Sequence, residues 1–435
     1  MISPPRMPQT AISDSRDSIL VPRHRTPRPS TTTYDHVILG AGCAGLSLAW
    51  HLRSLGDRGS MALVDRRPGY ANDRTWCYWD VEPTPFDDLA THAWTRWAVV
   101  DERGNWIESQ STRYRYRRLR SIDVYRRILD RLAGDDAIDP YLGASIRATT
   151  LEAETVAVDL AQETIRGVRA YTSARRPAAL AEAARSGEAA MVQHFLGQTV
   201  RTEHSVFDPA CPILMDFRVD QSDGPHFVYV LPLSDREALV ENTYLFPDPV
   251  SASRHREEIA SYLDRCFDVE RYEVIEEEAG RIPMTTHRPN TAPGARIVPI
   301  GLAGGAARPS SGYAFVRIQR QCRRIAEQIA GNRSTRARLD APIADRKYDF
   351  FDAVFLRALL DRPSRAPDLF ARMFDGVDAD PLVRFLSDRS TLTDDLRMVA
   401  ALPKVPFLIA ASRSTRAWLP RCLGIGSTND EMDPS

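Results

Sequence analysis

The sequence predicts an α/β chain in three parts, and three stretches carry that prediction. An apolar run, Val37 to Leu39, leads straight into Gly40, Gly42 and Gly45 in G-x-G-x-x-G spacing, then into a helical pattern through Leu46, Leu48, Ala49 and Leu52. From Phe195 to Tyr244 the segments MDFRV, FVYVLPL and ALVENTYLF are rich in β-branched and aromatic residues bounded by Asp, Ser, Gly and Pro, the pattern of an antiparallel sheet. From Phe350 to Ala411 the chain is mostly helical in pattern, punctuated by Pro363, Pro367, Pro381, Pro403 and Pro406.

Strand, tight turn and helix in that order make a phosphate-binding unit. The first glycine forms the turn, the second lets backbone approach a pyrophosphate, and the third lets helix pack on strand. The helix N-terminus then presents free N–H groups and a positive dipole end to the phosphates. A polar break at Arg58 to Ser60, a second buried strand at Met61 to Val64, and Asp65 at its end follow about twenty residues past Gly45, the place of an acid that accepts from a ribose hydroxyl. Asp65 is otherwise a strand-end cap. On this motif alone the cofactor is NAD or FAD, with hydride transfer as the default chemistry.

The 435 residues suffice for two or three lobes. A net charge of −1 gives no electrostatic argument for nucleic acid. Lysine occurs only at Lys347 and Lys404, so the basic residues are nearly all arginine, a compositional bias that decides nothing about function. The six cysteines, Cys43, Cys77, Cys211, Cys266, Cys322 and Cys422, form no C-x-x-C pair and no metal or disulfide spacing, as in a reduced intracellular compartment. No apolar run reaches the roughly 18 to 20 residues of a spanning helix, which leaves peripheral membrane contact open.

In order along the chain, residues 1–33 are rich in Pro, Ser, Thr and Arg and read as a disordered tail without a signal-peptide core. After Asp65 comes NDRTWCYWD, Asn72 to Asp80, with Arg74, Trp76, Tyr78 and Trp79 gathered where a cofactor ring lies beyond the strand ends. These aromatics either wall that ring or pack in the core. Trp94 to Glu108 alternates like a meander, and Ser121 to Leu132 is an amphipathic helix with Ile122, Tyr125, Ile128, Leu129 and Leu132 inward. Ala178 to Glu188 fits a short helix or a loop. Ile297 to Ile300 is a short buried strand, followed by GLAGGAARPSSGYAF and a helix from Ala314 to Ala330. This second glycine-rich junction, with Gly301, Gly304 and Gly305, either returns the chain to the first domain, its amides meeting the far end of the same cofactor, or is a plain loop of small residues.

Several separated stretches together resemble one family, the bacterial lycopene β-cyclases of carotenoid biosynthesis: ILGAGCAGLSLAW, NDRTWCYW, QHFLG at Gln193 to Gly197, LMDFRV, FVYVLPLS, LVENTYLF, GRIPM at Gly280 to Met284, IGLAGGAARPSSGYAF, and RFLSDRSTLTDDLRMVAALPKVPFL at Arg384 to Leu408. The resemblance runs from Asp35 to about Ala411. It implies a Rossmann-type FAD-binding domain with an antiparallel-sheet substrate domain and a C-terminal helical region. The expected division is FAD-binding over 34–80, 110–175 and 285–335, substrate sheet over 81–109 and 176–284, and helical region over 336–420. It also implies noncovalent FAD used in reduced form, NAD(P)H as the reductant, lycopene or a related acyclic carotene as substrate, and a place on the membrane surface at the inner face of the cell membrane. Three departures stand out. Leu302 replaces the Asp of most flavoprotein oxidoreductases, as in the cyclases; SARRP at Ser173 to Pro177 replaces a D-x-R-G-P-like segment; and Ser311 stands where threonine is more usual.

Cyclising a ψ-end needs an acid able to protonate an alkene carbon, a pocket that keeps the resulting cation from water, and then a base. A carboxyl among apolar groups stays protonated because desolvation disfavours its charged form. Glu241, between Val240 and the aromatics Tyr244 and Phe246, suits this, and the resemblance places the family's essential glutamate in its segment; the other reading is a strand glutamate facing solvent. Asp216 is a second candidate acid or base, or else an ion-pair partner of Arg218 or Arg74. A reduced anionic flavin facing the cation, with Trp76, Trp79, Tyr229 and Tyr244 as cation–π partners, gives a redox cofactor a role in a redox-neutral isomerisation. Gly40, Gly42, Gly45, Asp65, Arg74, Gly301, Gly304 and Gly305 are the expected cofactor contacts. His194, His204 and His226 lack ligand spacing, and no metal site is expected. The alternatives are an FAD-dependent reductase or monooxygenase acting on another isoprenoid, and a non-catalytic flavin- and carotenoid-binding protein.

Overall fold

A computed structural model describes residues 18–19, 33–173, 188–245, 250–287, 295–332 and 346–422, with side chains through Ser414. Two seven-stranded sheets organise them. In the first, β2 (Thr33–Leu39) and β3 (Met61–Asp65) run parallel, joined by α1 (Cys43–Ser54). Both strands are buried on two faces, Val37, Ile38 and Val64 fully so, which is why they read as continuous apolar runs. The sheet continues with β10 (Ile138–Leu142) parallel to β3, and with β13 (Thr164–Thr172) parallel to β2. Beyond β13, β12 (Val156–Leu160) and β11 (Ile146–Leu151) form an antiparallel flank. The late strand β19 (Ile297–Pro299) returns to pair with β13, as expected if the second glycine junction rejoins the first domain, and the helix α4 (Phe315–Asn332) that follows the junction shares its core with α1. Helix α2 (Ser121–Leu132) buries Ile122, Tyr125, Ile128 and Leu132 against this body.

The second sheet has the order β18 (Tyr272–Thr285), β14 (Ala190–Thr202), β17 (Glu237–Leu245), β16 (His226–Pro232), β15 (Ile213–Asp216), β7 (Arg96–Val100) and β8 (Trp106–Gln110). It is antiparallel except where β15 meets β7. A small third sheet of β5 (Thr75–Trp79), β9 (Tyr116–Arg120) and β6 (His92–Trp94) lies apart from it. The segment expected as a meander, Trp94 to Glu108, forms the antiparallel β7–β8 hairpin, with Trp94 ending β6 in the small sheet.

Period-2 alternation gives the large sheet two packed faces. One is covered by α3 (Ala252–Phe267), which packs Ile259, Tyr262 and Leu263 on Val228, Val230 and Val240. The other meets the C-terminal helices α5 (Arg346–Asp361), α6 (Ala366–Asp375), α7 (Ala379–Leu386), α8 (Leu392–Ala401) and α9 (Lys404–Cys422). There Phe355, Phe370 and Phe374 share one core with Leu214, Phe217 and Leu239, each side chain contributing roughly 1.5–3 kcal/mol on burial. Buried Arg308 ties this region to the late junction, its Nε 3.1 Å from Asp352 of α5.

The expected disordered tail over 1–33 does not hold at β1 (Ser18–Ile19), which pairs antiparallel with β4 (Tyr70–Ala71). The undecided stretch lies outside the described residues at 178–187, as do residues 174–177 of SARRP and Phe246.

Candidate active site

The glycine turn behaves as its spacing requires. Gly40 adopts φ +92°, and a Cβ there would meet Ser173 Oγ at 2.1 Å. A Cβ on Gly45 would stand 2.2 Å from the Gly40 carbonyl oxygen, so α1 packs on β2 only because that methyl is missing. No side chain caps α1 at Gly42, whereas α8 carries a full Thr391–Asp394 capping box. Asp65 closes β3, its carboxylate accepting from the Arg67 amide at 2.9 Å and the Arg67 guanidinium at 3.2 Å. A carboxylate has about four lone-pair sites, so acceptor capacity remains.

The late junction sits on the same turn. Gly301, at φ +61°, packs so tightly on Ala44 that a Cβ would come within 2.6 Å of it. Gly304 serves packing, since a Cβ there would meet the Pro299 carbonyl at 2.5 Å. Gly305, at φ +73°, has open space around the missing Cβ. Two glycine-walled turns, an uncapped helix end and a strand-end acid thus converge, a cradle that fits the pyrophosphate and ribose of a dinucleotide. Arg74 donates to the Asp73 carbonyl, and its charge acts on Glu241 and Glu278.

Between the face of the large sheet opposite α3, the junction at 310–315 and the C-terminal helices lies an apolar cavity of about 530 Å³. Glu241 enters it from β17, flanked along the strand by Leu239 and Leu245. Its Oε1 accepts from Thr243 Oγ1 at 2.9 Å. Burial, followed by the neighbouring Glu278 carboxylate, pushes Glu241 up to about 8, against the opposing pull of Thr243 and Arg74. This glutamate therefore holds its proton at neutral pH.

Trp76 and Tyr229 line the same cavity. Trp76 stacks on Phe315 with ring centroids 5.3 Å apart, and Tyr229 donates to the Tyr116 hydroxyl at 3.0 Å. The other candidates do not reach it. Tyr244, three residues from Glu241, points to the opposite face by strand parity, where its hydroxyl donates to Glu258 at 2.7 Å and its ring stacks on His226 at 3.9 Å. Trp79 packs on Trp97 and Tyr116 at 4.3 and 4.5 Å. Asp216 is fully buried on the α3 face, paired with Arg218 and accepting from Tyr262 at 2.7 Å. This is the ion-pair reading, and it removes Asp216 from the reacting volume. His194 and His226 are buried on the face of the sheet opposite Glu241.

Sequence reasoning missed Glu278. Across β16, β17, β14 and β18, Tyr229, Glu241, Gly197 and Glu278 stand directly opposite one another in a single row. Glycine inside a strand pattern signals close approach of neighbours, and Gly197 in QHFLG was that signal. Cys77 also lines the cavity, with its thiol pushed up to about 12 by burial, so it is no nucleophile at neutral pH.

The sequence profile of the family described as "Lycopene cyclase protein" matches residues 35–412. A lycopene beta-cyclase from Pantoea ananas is 27% identical over 402 residues, covering 87% of this chain and 97% of its own. A lycopene beta-cyclase from Paracoccus sp. is 26% identical, covering 86% and 95%. Among solved structures, a geranylgeranyl bacteriochlorophyll reductase-like protein from Thermoplasma acidophilum superposes with TM-score 0.56 at 11% identity, covering 88% of this chain and 99% of that one. The flavin-dependent monooxygenase PieE, in complex with FAD and substrate, gives TM-score 0.56 at 12% identity, covering 91% and 72%. These identities establish a shared fold.

Proposed function

The chain belongs to the lycopene cyclase family, and from that premise we propose that it is a lycopene β-cyclase whose acid is Glu241. The reaction closes the acyclic ψ-ends of lycopene into β-ionone rings in carotenoid biosynthesis, an isomerisation without net redox change. The observation that carries the assignment is the Glu241 carboxyl, pushed toward its protonated form by burial in a predominantly apolar cavity whose other carboxyl, Asp352, is paired with Arg308.

Glu241 delivers its proton to a terminal alkene carbon, the ring bond forms onto the tertiary cation, and loss of a ring C–H proton to a base restores the proton count. The raised pKa keeps the proton loaded; it does not make the acid strong. A positioned acid supplies about 10²- to 10⁴-fold, so stabilisation of the cation must supply the rest. Trp76 and Tyr229 turn aromatic surface toward the cavity, each worth up to about 2 kcal/mol to a desolvated cation, and the surrounding Phe and Leu side chains exclude water.

FAD fits the two glycine turns, and in reduced form it would supply negative charge facing the cation. Gly40, Gly42, Gly45, Asp65, Gly301 and Gly305 would hold it. NAD(P)H is our proposed reductant. We further place the protein on the inner face of the cell membrane. Among the described residues nine large apolar side chains are exposed, and six of them, Leu392, Leu396, Val399, Val405, Leu408 and Ile409, cluster on α8 and α9. Val399 and Leu408 also line the cavity, so the patch and the substrate space are continuous, as suits a hydrocarbon drawn from a bilayer. No helix among the described residues is long and apolar enough to cross a membrane.

Expression in a lycopene-accumulating host tests the reading. Wild type is expected to yield cyclised carotene and Glu241→Gln only lycopene, with flavin still bound. Unchanged lycopene with both, or a hydroxylated or saturated pigment, would reject it.

A further inference from the structure

The Tyr229–Glu241–Gly197–Glu278 row places two carboxyl-bearing residues on the same face of the sheet with a glycine between them. A Cβ on Gly197 would lie 3.0 Å from Leu239 Cδ1, 3.4 Å from Glu241 Cβ and 3.5 Å from its Cγ, so the glycine itself puts no side chain between the two acids. The residues around the pair are not symmetric. Burial raises Glu278 too, but against the pull of the Thr75 hydroxyl and amide and of the Arg74 and Arg118 charges. Glu241 has a single hydroxyl donor, Thr243. The other charged or titratable groups that face the pair are Arg74, which acts on both; Arg118 of β9, which acts on Glu278; Cys77 of β5; and Tyr229 of β16. Glu276, two residues along β18, is engaged by Asn72 at 2.8 Å.

We propose that Glu278 is a positioning residue for the acid: the pair holds one proton between them, Thr75 and Arg118 keep the charge on Glu278, and the proton therefore resides on Glu241, the member that faces the substrate cavity. Two like charges in one apolar site cannot both ionise cheaply, so Glu278 makes deprotonation of Glu241 harder without touching the carotene. Glu241 is also pushed up by Glu278, second only to burial itself, in agreement with the geometry. After Glu241 has given up its proton, the adjacent negative charge on Glu278 favours its reloading. The proposal rests on the reading of Glu241 as the acid.

The test is the pH dependence of initial ring formation by holoenzyme carrying reduced flavin, with lycopene supplied in liposomes, read together with an infrared difference titration of the protonated carboxyl band that Glu241→Gln abolishes. Glu278→Gln is expected to form rings at acid pH and to lose activity on a limb displaced downward by on the order of one pH unit. The infrared midpoint should move with it. Glu278→Asp, which keeps a charge, should restore the limb toward the wild-type position. An unmoved limb and midpoint in Glu278→Gln, or no ring formation at any pH with flavin bound, would overturn the proposal. If Glu278→Gln does not fold, Glu241→Gln decides the matter from the other side. Glu278 ionises while Glu241 still holds its proton, so in Glu241→Gln the upper carboxyl step should vanish and the lower one stay at its wild-type midpoint; a lower step that moves or disappears would overturn the assignment of the charge to Glu278. Absence of ring formation by wild type would instead defeat the cyclase reading, while the infrared titration would still report whether the pair is coupled.

Discussion

Replacing Glu241 by Gln is expected to abolish ring closure and, above neutral pH, to make the protein more stable. The carboxyl is held at about 8 in the fold against an ordinary 4.5. At about 1.4 kcal/mol per pH unit of difference, the folded protein carries a cost of about 5 kcal/mol once pH exceeds both values. Between them the native state binds a proton that the unfolded chain has lost, so stability falls as pH rises through that window. From about pH 5.5 to about pH 9 the contribution works out to a loss of about 3 kcal/mol in wild type, which the isosteric amide does not suffer. Urea denaturation of both holoproteins at the two pH values measures it, with other titrating groups cancelling in the difference. The variant should be more stable than wild type by about 1 kcal/mol at the acid value and by about 5 kcal/mol at the alkaline one, while ring formation drops by about 10²- to 10⁴-fold. Parallel pH dependences in the two proteins would show that Glu241 is ionised in the fold, and the acid assignment would fall with that result.

Two further outcomes follow from the geometry. Gly45→Ala places a methyl 2.2 Å from the Gly40 carbonyl oxygen, so the turn must open; the purified variant should carry little flavin by absorbance, and normal loading would refute the cradle. Leu396→Ser with Leu408→Ser removes two side chains that are 70% and 68% exposed, so folding stability should change by less than about 0.5 kcal/mol while sedimentation with liposomes falls sharply. Unchanged liposome binding would remove α8 and α9 from the membrane contact.

What could be read directly from the sequence was local. The turn at Gly40 to Gly45, the amphipathic helix from Ser121 to Leu132 and the strands around Glu241 are each set by neighbours within a few positions. Strand parity was available too and went unused: Tyr244 is an odd number of residues from Glu241, so the two had to face opposite sides of the sheet. The rest depends on pairings between distant segments. Asp216 opposite Tyr262, and Arg308 beside Asp352, join residues 46 and 44 positions apart, and no periodicity announces them. The same holds for Glu278, whose closeness to Glu241 arises from the register of β17, β14 and β18. Only Gly197, an anomaly inside a strand, marked the place.

The proposed reaction is an acid–base ring closure in which the cofactor's electrons are not spent. Its most direct test is an anaerobic reaction of reduced holoenzyme with lycopene in liposomes, following β-ring formation and flavin absorbance together. Many rings closed per flavin, with the flavin still reduced at the end, is the predicted result. One flavin reoxidised for each product formed would contradict the account.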